Sequence, residues 1–133
     1  MNWTIASGAV DTVLDHSGQD HPREACGLLL GRSGEIVRAE PAANVAAHPE
    51  RAFEIDPAAL LRWHRAARGE GLAVVGHYHS HPNGRAEPSA TDAARAVKDG
   101  AVWLVAAFTK HQAPHTFSAW TMTATGFTRL DLA

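Results

Sequence analysis

The spacing of apolar and polar residues changes several times along the chain, and each change predicts an element. In residues 8–17, Val10, Val13, Leu14 and Ser17 fall on one side of a helix. Gly18 to Pro22 then reads as a loop. Ala25 to Leu30 is a short apolar run between a glutamate and a glycine, the pattern of a buried strand. Glu35 to Glu40 alternates as its hairpin partner across Arg32-Ser33-Gly34. Pro41 to Arg51 is irregular, and Phe53-Glu54-Ile55 reads as a short strand. Asp56-Pro57 opens a helix with Asp as N-cap and Pro at the first helical position. Leu60, Trp63, His64 and Ala67 form its predicted apolar side, with Gly69 as its stop. Leu72 to Ser80 is the central strand, apolar at its start and rich in histidine at its end. Pro82 to Pro88 is a loop. Ser89 begins another helix, with Ala90, Ala93, Ala94 and Val97 at helical spacing and Gly100 at its end. Ala101 to Phe108 is a strongly apolar strand, and Thr116 to Met122 with Phe127 to Leu132 form a hairpin around Thr125-Gly126. Helices interleaved with strands in this order predict a mixed β-sheet flanked by helices, an α/β (or α+β) fold, in a single domain over residues 1–133.

Composition narrows the functional classes. A chain of 133 residues is long enough to bury one core. Its formal net charge of −2 supplies no basic field for nucleic acid or a membrane surface. No apolar run approaches the roughly 20 residues that cross a bilayer. The first residues, Met1-Asn2-Trp3-Thr4-Ile5-Ala6, show no basic region followed by an apolar core, so no signal peptide is expected. A lone cysteine, Cys26, permits no intrachain disulfide and suits a reducing, cytoplasmic compartment. The count that stands out is nine histidines, three of which alternate at positions 77, 79 and 81.

That alternation turns composition into chemistry. Alternate residues of a strand share a face, so His79 and His81 can aim at one point, and so can His77. Asp92 follows after a loop long enough to turn back. Ser89 and Asp92 are three apart and share a helix face. Two neutral imidazoles and a carboxylate suit a catalytic zinc with one position open to water. Each piece also has a plainer reading. Ser89-Ala90-Thr91-Asp92 is close to a capping box, and a His-x-His pair can simply occupy a half-exposed strand. Capping and ligation are compatible, because a helix start can hold Asp92 rigid while it binds metal. Spacing alone also permits a three-histidine site with Asp92 outside it.

The combined pattern, His79-Ser80-His81-Pro82 and then Ser89-Ala90-Thr91-Asp92, resembles the JAMM (MPN+) zinc metallopeptidase motif, His-x-His-x7-Ser-x-x-Asp. Glu24-Ala25-Cys26-Gly27-Leu28-Leu29-Leu30-Gly31 is similar to the segment that carries the family's distant glutamate. Asn44, Phe53-Glu54-Ile55-Asp56-Pro57 and Val75-Gly76 add to the likeness, which covers roughly residues 20–108. The resemblance implies His79, His81 and Asp92 as zinc ligands, with His77 as a neighbour. It implies Glu24 as general base and Ser89 as stabiliser of the tetrahedral intermediate. It implies a cytidine-deaminase-like fold. It further implies hydrolysis of a peptide or isopeptide bond at the C-terminal tail, of Gly-Gly type, of a ubiquitin-like or sulfur-carrier protein. The chain looks like the short bacterial members, some of which release cysteine from a carrier's terminal glycine, and has little room for the long insertions of eukaryotic deubiquitinases.

Two rival readings are set against this one. A non-enzymatic MPN-type interaction module would not need the full set Glu24, His79, His81, Ser89 and Asp92. A zinc deaminase carries a paired-cysteine signature, which a chain with only Cys26 lacks. Cys26 itself reads as a small buried hydrophobe rather than a nucleophile. His64, Trp63, Trp103 and Trp120 read as packing residues. His111 and His115 flank Pro114 without a third ligand and are not read as a second zinc site. Arg85 and Glu87, in the loop after the histidines, are either substrate contacts or solvated charges.

Overall fold

The computed structural model describes residues 2–108 and 116–132; His111 and His115 lie outside the described residues. The two most apolar runs become the most buried strands. In β2 (Cys26–Arg32) every residue but the last is buried, and β5 (Val102–Ala107) is buried throughout. Between them lies β4 (Ala73–His81), antiparallel to β2 and parallel to β5. β3 (Glu35–Ala42) flanks β2 as its hairpin partner, and β6 (Thr116–Thr123) and β7 (Gly126–Leu132) form the last hairpin beside β5. A further strand, β1 (Asn2–Ile5), was not anticipated from the sequence. It runs parallel to both β3 and β7 and closes the strands into a ring, in the order β1-β3-β2-β4-β5-β6-β7. The expected mixed sheet is therefore wrapped round on itself.

Helices pack on both sides of β2 and β4. Helix α1 (Ser7–Asp20) buries Ala9, Val13 and Ser17, and continues through the Gly18–Asp20 stretch expected to be loop. On its side Leu29, Tyr78, Val102 and Leu104 form the main core. Helix α2 (Pro57–Gly69) starts as expected, with the Asp56 side chain accepting from the Ala58 N–H at 3.2 Å and Pro57 in the first turn. Its buried face differs from the prediction. Ala59 and Ala67 are buried, Trp63 is half-buried, and Leu60 and His64 are exposed. The stripe is turned by one position, because alanines let the helix approach the sheet, where Leu28, Leu30 and Ala67 form a second cluster. Helix α3 (Ala90–Arg95) is only six residues long, stops well before Gly100, and buries Asp92 alone. Val97 is 62% exposed, so the alanines and valine there form no apolar face. Trp103 is buried as expected, whereas Trp120 is only half-buried. Phe53-Glu54-Ile55 contributes one isolated bridge, Asn44 to Ile55, rather than a strand.

One irregularity sets the phase of the histidines. Between β2 and β4 the register shifts, so that Leu29 pairs with Gly76 and Leu30 with Val74. Val75 is the extra residue, and a bulge of this kind re-aims the side chains beyond it. Val74 and His77 therefore lie on the α2 side, opposite Leu30 and Leu28, although they are three residues apart. Gly76 is required there, because a Cβ would run into the backbone of Val102. Among the described residues, no helix is long and apolar enough to cross a membrane.

Candidate metal centre

The lower end of β4 carries His79 and His81 on the α2 side, both buried. Their Nε2 atoms lie 2.9 Å apart, and each is 3.1 Å from Asp92 Oδ2. Asp92 reaches them from α3, whose first turn is a capping box. Ser89 Oγ accepts from the Asp92 N–H at 3.0 Å, and the Ser89 N–H donates to Asp92 Oδ2 at 2.8 Å. The cap and the convergence on the imidazoles therefore use the same carboxylate oxygen. The loop leading to Ser89 is tied to β6, where the Ser118 hydroxyl donates to the Ala86 carbonyl and accepts from Trp120 Nε1 at 2.8 Å.

Glu24 arrives from the residue pair just ahead of β2. Its N–H donates to the Pro49 carbonyl at 2.7 Å, and its carbonyl accepts from Asn44 Nδ2 at 2.9 Å. The next residue, Ala25, exchanges hydrogen bonds with Ser80 between the two histidines. These ties bring a Glu24 carboxylate oxygen within 4.8 Å of a nitrogen on each imidazole. Asp92 is closer to both rings than Glu24 is, so the triangle His79, His81, Asp92 is the tight set and Glu24 stands beside it. Glu24 Oε1 is buried and has no hydrogen-bond partner among the described residues.

The electrostatics match this arrangement. Burial pushes the Glu24 carboxyl up to about 7, with His81 opposing and Asp92 adding to the rise. Burial would also raise Asp92, but hydrogen bonds with His79 and His81 outweigh it and hold that carboxyl well below the usual range. Burial lowers His79. At His81 burial acts the same way, but the Asp92 contact wins and the net shift is upward.

The donor set fits a divalent cation. Ligands about 2.0–2.1 Å from a tetrahedral ion stand about 3.3 Å from one another, close to the 2.9–3.1 Å edges observed here. Protons alone serve the three atoms poorly. Two imidazole nitrogens in contact share one proton between them, while a cation satisfies both lone pairs and the carboxylate together. His81 Nδ1 lies 3.0 Å from the Arg85 carbonyl, so its N–H donates there and Nε2 is left with its lone pair.

His77 does not join the group. Its ring packs against Trp103, with centroids 4.3 Å apart, and burial holds its pKa down to about 4. Cys26 is buried and its thiol is pushed up to about 12 by burial, which suppresses the thiolate a nucleophile requires. Arg85 and Glu87 are exposed and line a cleft of about 480 Å³ whose wall also includes Ser89 and the buried Glu24 and His81. A wider cleft of about 640 Å³, bordered by α1 and α2, holds none of the predicted site residues. Ser80 and Phe53 carry structural roles at the site that the sequence reading missed. Ser80 was hidden as the middle residue of His-x-His, and Phe53 was read only as part of a short strand and of the family likeness, which gives no sign of the ring it packs against.

Residues 6–123 match the family model described as prokaryotic homologs of the JAB domain. The chain is 40% identical to a desampylase from Haloferax volcanii, over 77% of this chain and 78% of the relative. It is 39% identical to a probable TtuB-protein conjugate cleaving protease from Thermus thermophilus, over 66% of this chain and 59% of that one. Identity to a CysO-cysteine peptidase from Mycobacterium tuberculosis is 32%, over 76% and 70%. The solution structure of a Desulfitobacterium hafniense protein covers 100% of this chain and 92% of its own, with a TM-score of 0.86 at 27% identity. By its motif, its ring of strands and a family match running from α1 to the end of β6, this chain belongs to the prokaryotic JAB-domain (JAMM/MPN) family.

Proposed function

We propose that the chain is a zinc-dependent peptidase or isopeptidase that hydrolyses an amide at the C-terminal, Gly-Gly-type tail of a ubiquitin-like or sulfur-carrier protein. The observation that carries this reading is the triangle of His79, His81 and Asp92 with the unpartnered Glu24 Oε1 beside it. The related desampylase, conjugate-cleaving protease and CysO-cysteine peptidase support the substrate class. The whole chain, residues 1–133, is read as one catalytic domain. A single buried free cysteine supports a reducing, cytoplasmic setting.

In this reading His79, His81 and Asp92 hold the zinc, which supplies Lewis acidity toward the scissile carbonyl and a water acidified toward neutral pH. Glu24 is the general base. Glu24 stands where it would take a proton from the attacking water and pass it on to the leaving amine, and the burial that raises its carboxyl in the metal-free protein favours holding that proton. Among the described residues nothing else hydrogen-bonds its Oε1, which leaves that oxygen able to accept. Ser89 Oγ already accepts from the Asp92 N–H, which leaves its own O–H proton to donate to a developing oxyanion. The capping box keeps that hydroxyl and the Asp92 carboxylate in a fixed relation. Glycine beside the scissile bond suits the approach to these buried groups, because it brings the backbone close without a side chain.

Incubation with carrier proteins ending in Gly-Gly plus a leaving group, followed by intact mass measurement with and without a chelator, tests the proposal. Loss of the leaving-group mass that the chelator blocks is the expected result. Carriers that remain intact under metal-replete conditions would sink it.

A further inference from the structure

The two imidazoles of the site are held in different ways. His81 has its Nδ1 3.0 Å from the Arg85 carbonyl. His79 Nδ1 is buried and has no hydrogen-bond partner among the described residues. A metal-ligating histidine normally donates its second N–H to a carboxylate, carbonyl or water, which fixes the ring. Among the described residues no carboxylate or carbonyl anchors His79 in that way, and aromatic packing contacts its ring instead.

The packing comes from Phe53. Its ring lies nearly parallel to the His79 ring, with centroids 4.3 Å apart and planes at 19°. Trp103 stands edge-on to the same imidazole at 5.9 Å and 87°. Phe53 is itself clamped from both sides by one amide. Asn44 Nδ2 donates to the Ala52 carbonyl and Asn44 Oδ1 accepts from the Glu54 N–H, both at 3.0 Å. The same Nδ2 donates to the Glu24 carbonyl, and Oδ1 also accepts from Ala46 N–H at 3.0 Å. All four hydrogen-bonding positions of the Asn44 side chain are used. Arg95 of α3 adds a bond to the Phe53 carbonyl at 2.7 Å.

We propose that Phe53, presented by the Asn44 clamp, is a positioning residue that sets the His79 ring by stacking, as the Arg85 carbonyl sets His81 by hydrogen bonding. This rests on reading His79 as a metal ligand. The Asn44 amide then links the stacking residue to the segment carrying Glu24, so ligand and base are aligned by one side chain.

The test measures zinc affinity of the purified protein by competition with a chromophoric chelator, and the visible absorption of the cobalt(II)-loaded protein. Phe53→Leu removes the flat ring, and Phe53→Tyr keeps it. We expect F53L to bind zinc about 10-fold more weakly, the lower end of what loss of a ligand-orienting partner costs, with a shifted cobalt spectrum. F53Y should match the parent in both. Should F53L fail to fold, Phe53→Met, which keeps bulk, against Phe53→His, which keeps a planar ring, makes the same comparison. Equal affinity and an unchanged cobalt spectrum in F53L, or an F53Y as weak as F53L, would overturn the proposal while leaving the metal reading intact. A parent protein that binds no zinc would overturn both.

Discussion

Ala25 and Ser80 clasp each other twice: the Ala25 N–H donates to Ser80 Oγ at 2.8 Å, and the Ser80 N–H donates to the Ala25 carbonyl at 2.9 Å. Ala25 follows Glu24 directly, and Ser80 sits between His79 and His81. The clasp therefore joins the residue beside Glu24 to the residue between the two converging imidazoles. Ser80→Ala leaves the buried Ala25 N–H without an acceptor, which costs about 1–3 kcal/mol of stability. Turnover should fall through kcat with KM little changed, since the cleft walls are untouched. Denaturant melts and steady-state kinetics on the same preparation check both parts. An S80A protein as stable and as active as the parent would show that the clasp does not position Glu24.

Glu24→Gln keeps the shape of the side chain and removes its ability to take a proton. Activity should drop about 100- to 10,000-fold, the usual share of general acid–base catalysis, while zinc content measured by elemental analysis stays stoichiometric. Full activity in E24Q would exclude Glu24 as the base.

The same residue gives the metal-free protein a pH signature. Burial, the largest influence, lifts the Glu24 carboxyl from an ordinary 4.5 to about 7 in the folded state. Between those values the folded protein holds a proton that the unfolded chain has lost. The stabilisation is complete below about 4.5 and disappears as pH rises through about 7. The chelated parent should lose stability relative to chelated E24Q across that window. Parallel stability curves for the two proteins would contradict the shift.

Ser89 has two tasks that two substitutions separate. Ser89→Ala removes the cap and costs about 1 kcal/mol of stability, and it removes the free O–H, lowering kcat by up to about 100- to 1,000-fold. Ser89→Thr retains a hydroxyl and should keep most of both. If S89A lost stability alone, Ser89 would be a cap without a catalytic part.

Zinc should stabilise the fold in proportion to its occupancy. At free metal 100 times Kd the gain is about 2.7 kcal/mol, or roughly 10 °C in melting temperature for a chain of this size. His79→Ala should abolish the shift. An H79A protein that still gained stability with zinc would place the ion elsewhere.

Much of the site could be read from local sequence because its parts are local. Strand alternation sets His79 beside His81, and Ser-x-x-Asp closes a capping box within one helical turn. The central hairpins followed from alternation and turn residues. What escaped depends on distant packing. β1 is four residues long and is defined by partners more than 30 and 120 residues away, so nothing in Asn2–Ile5 announces it. The α2 face was misjudged because Leu60 outranks Ala59 in hydrophobicity, yet the close approach to β2 and β4 selects the smaller residue. The length of α3 was overestimated from alanine spacing that touches no core. Phe53 was read as part of a short strand, but its stacking on His79 leaves no periodic trace and was missed.

The pairing of Cys26 with His79 spans more than 50 residues of chain. The cluster of Glu24, His79, His81 and Asp92 therefore cannot assemble in a chain that ends before β4 and α3. Glu24, made first, has its place in the cluster only once the two imidazoles and the Asp92 carboxylate have been translated and docked beside it.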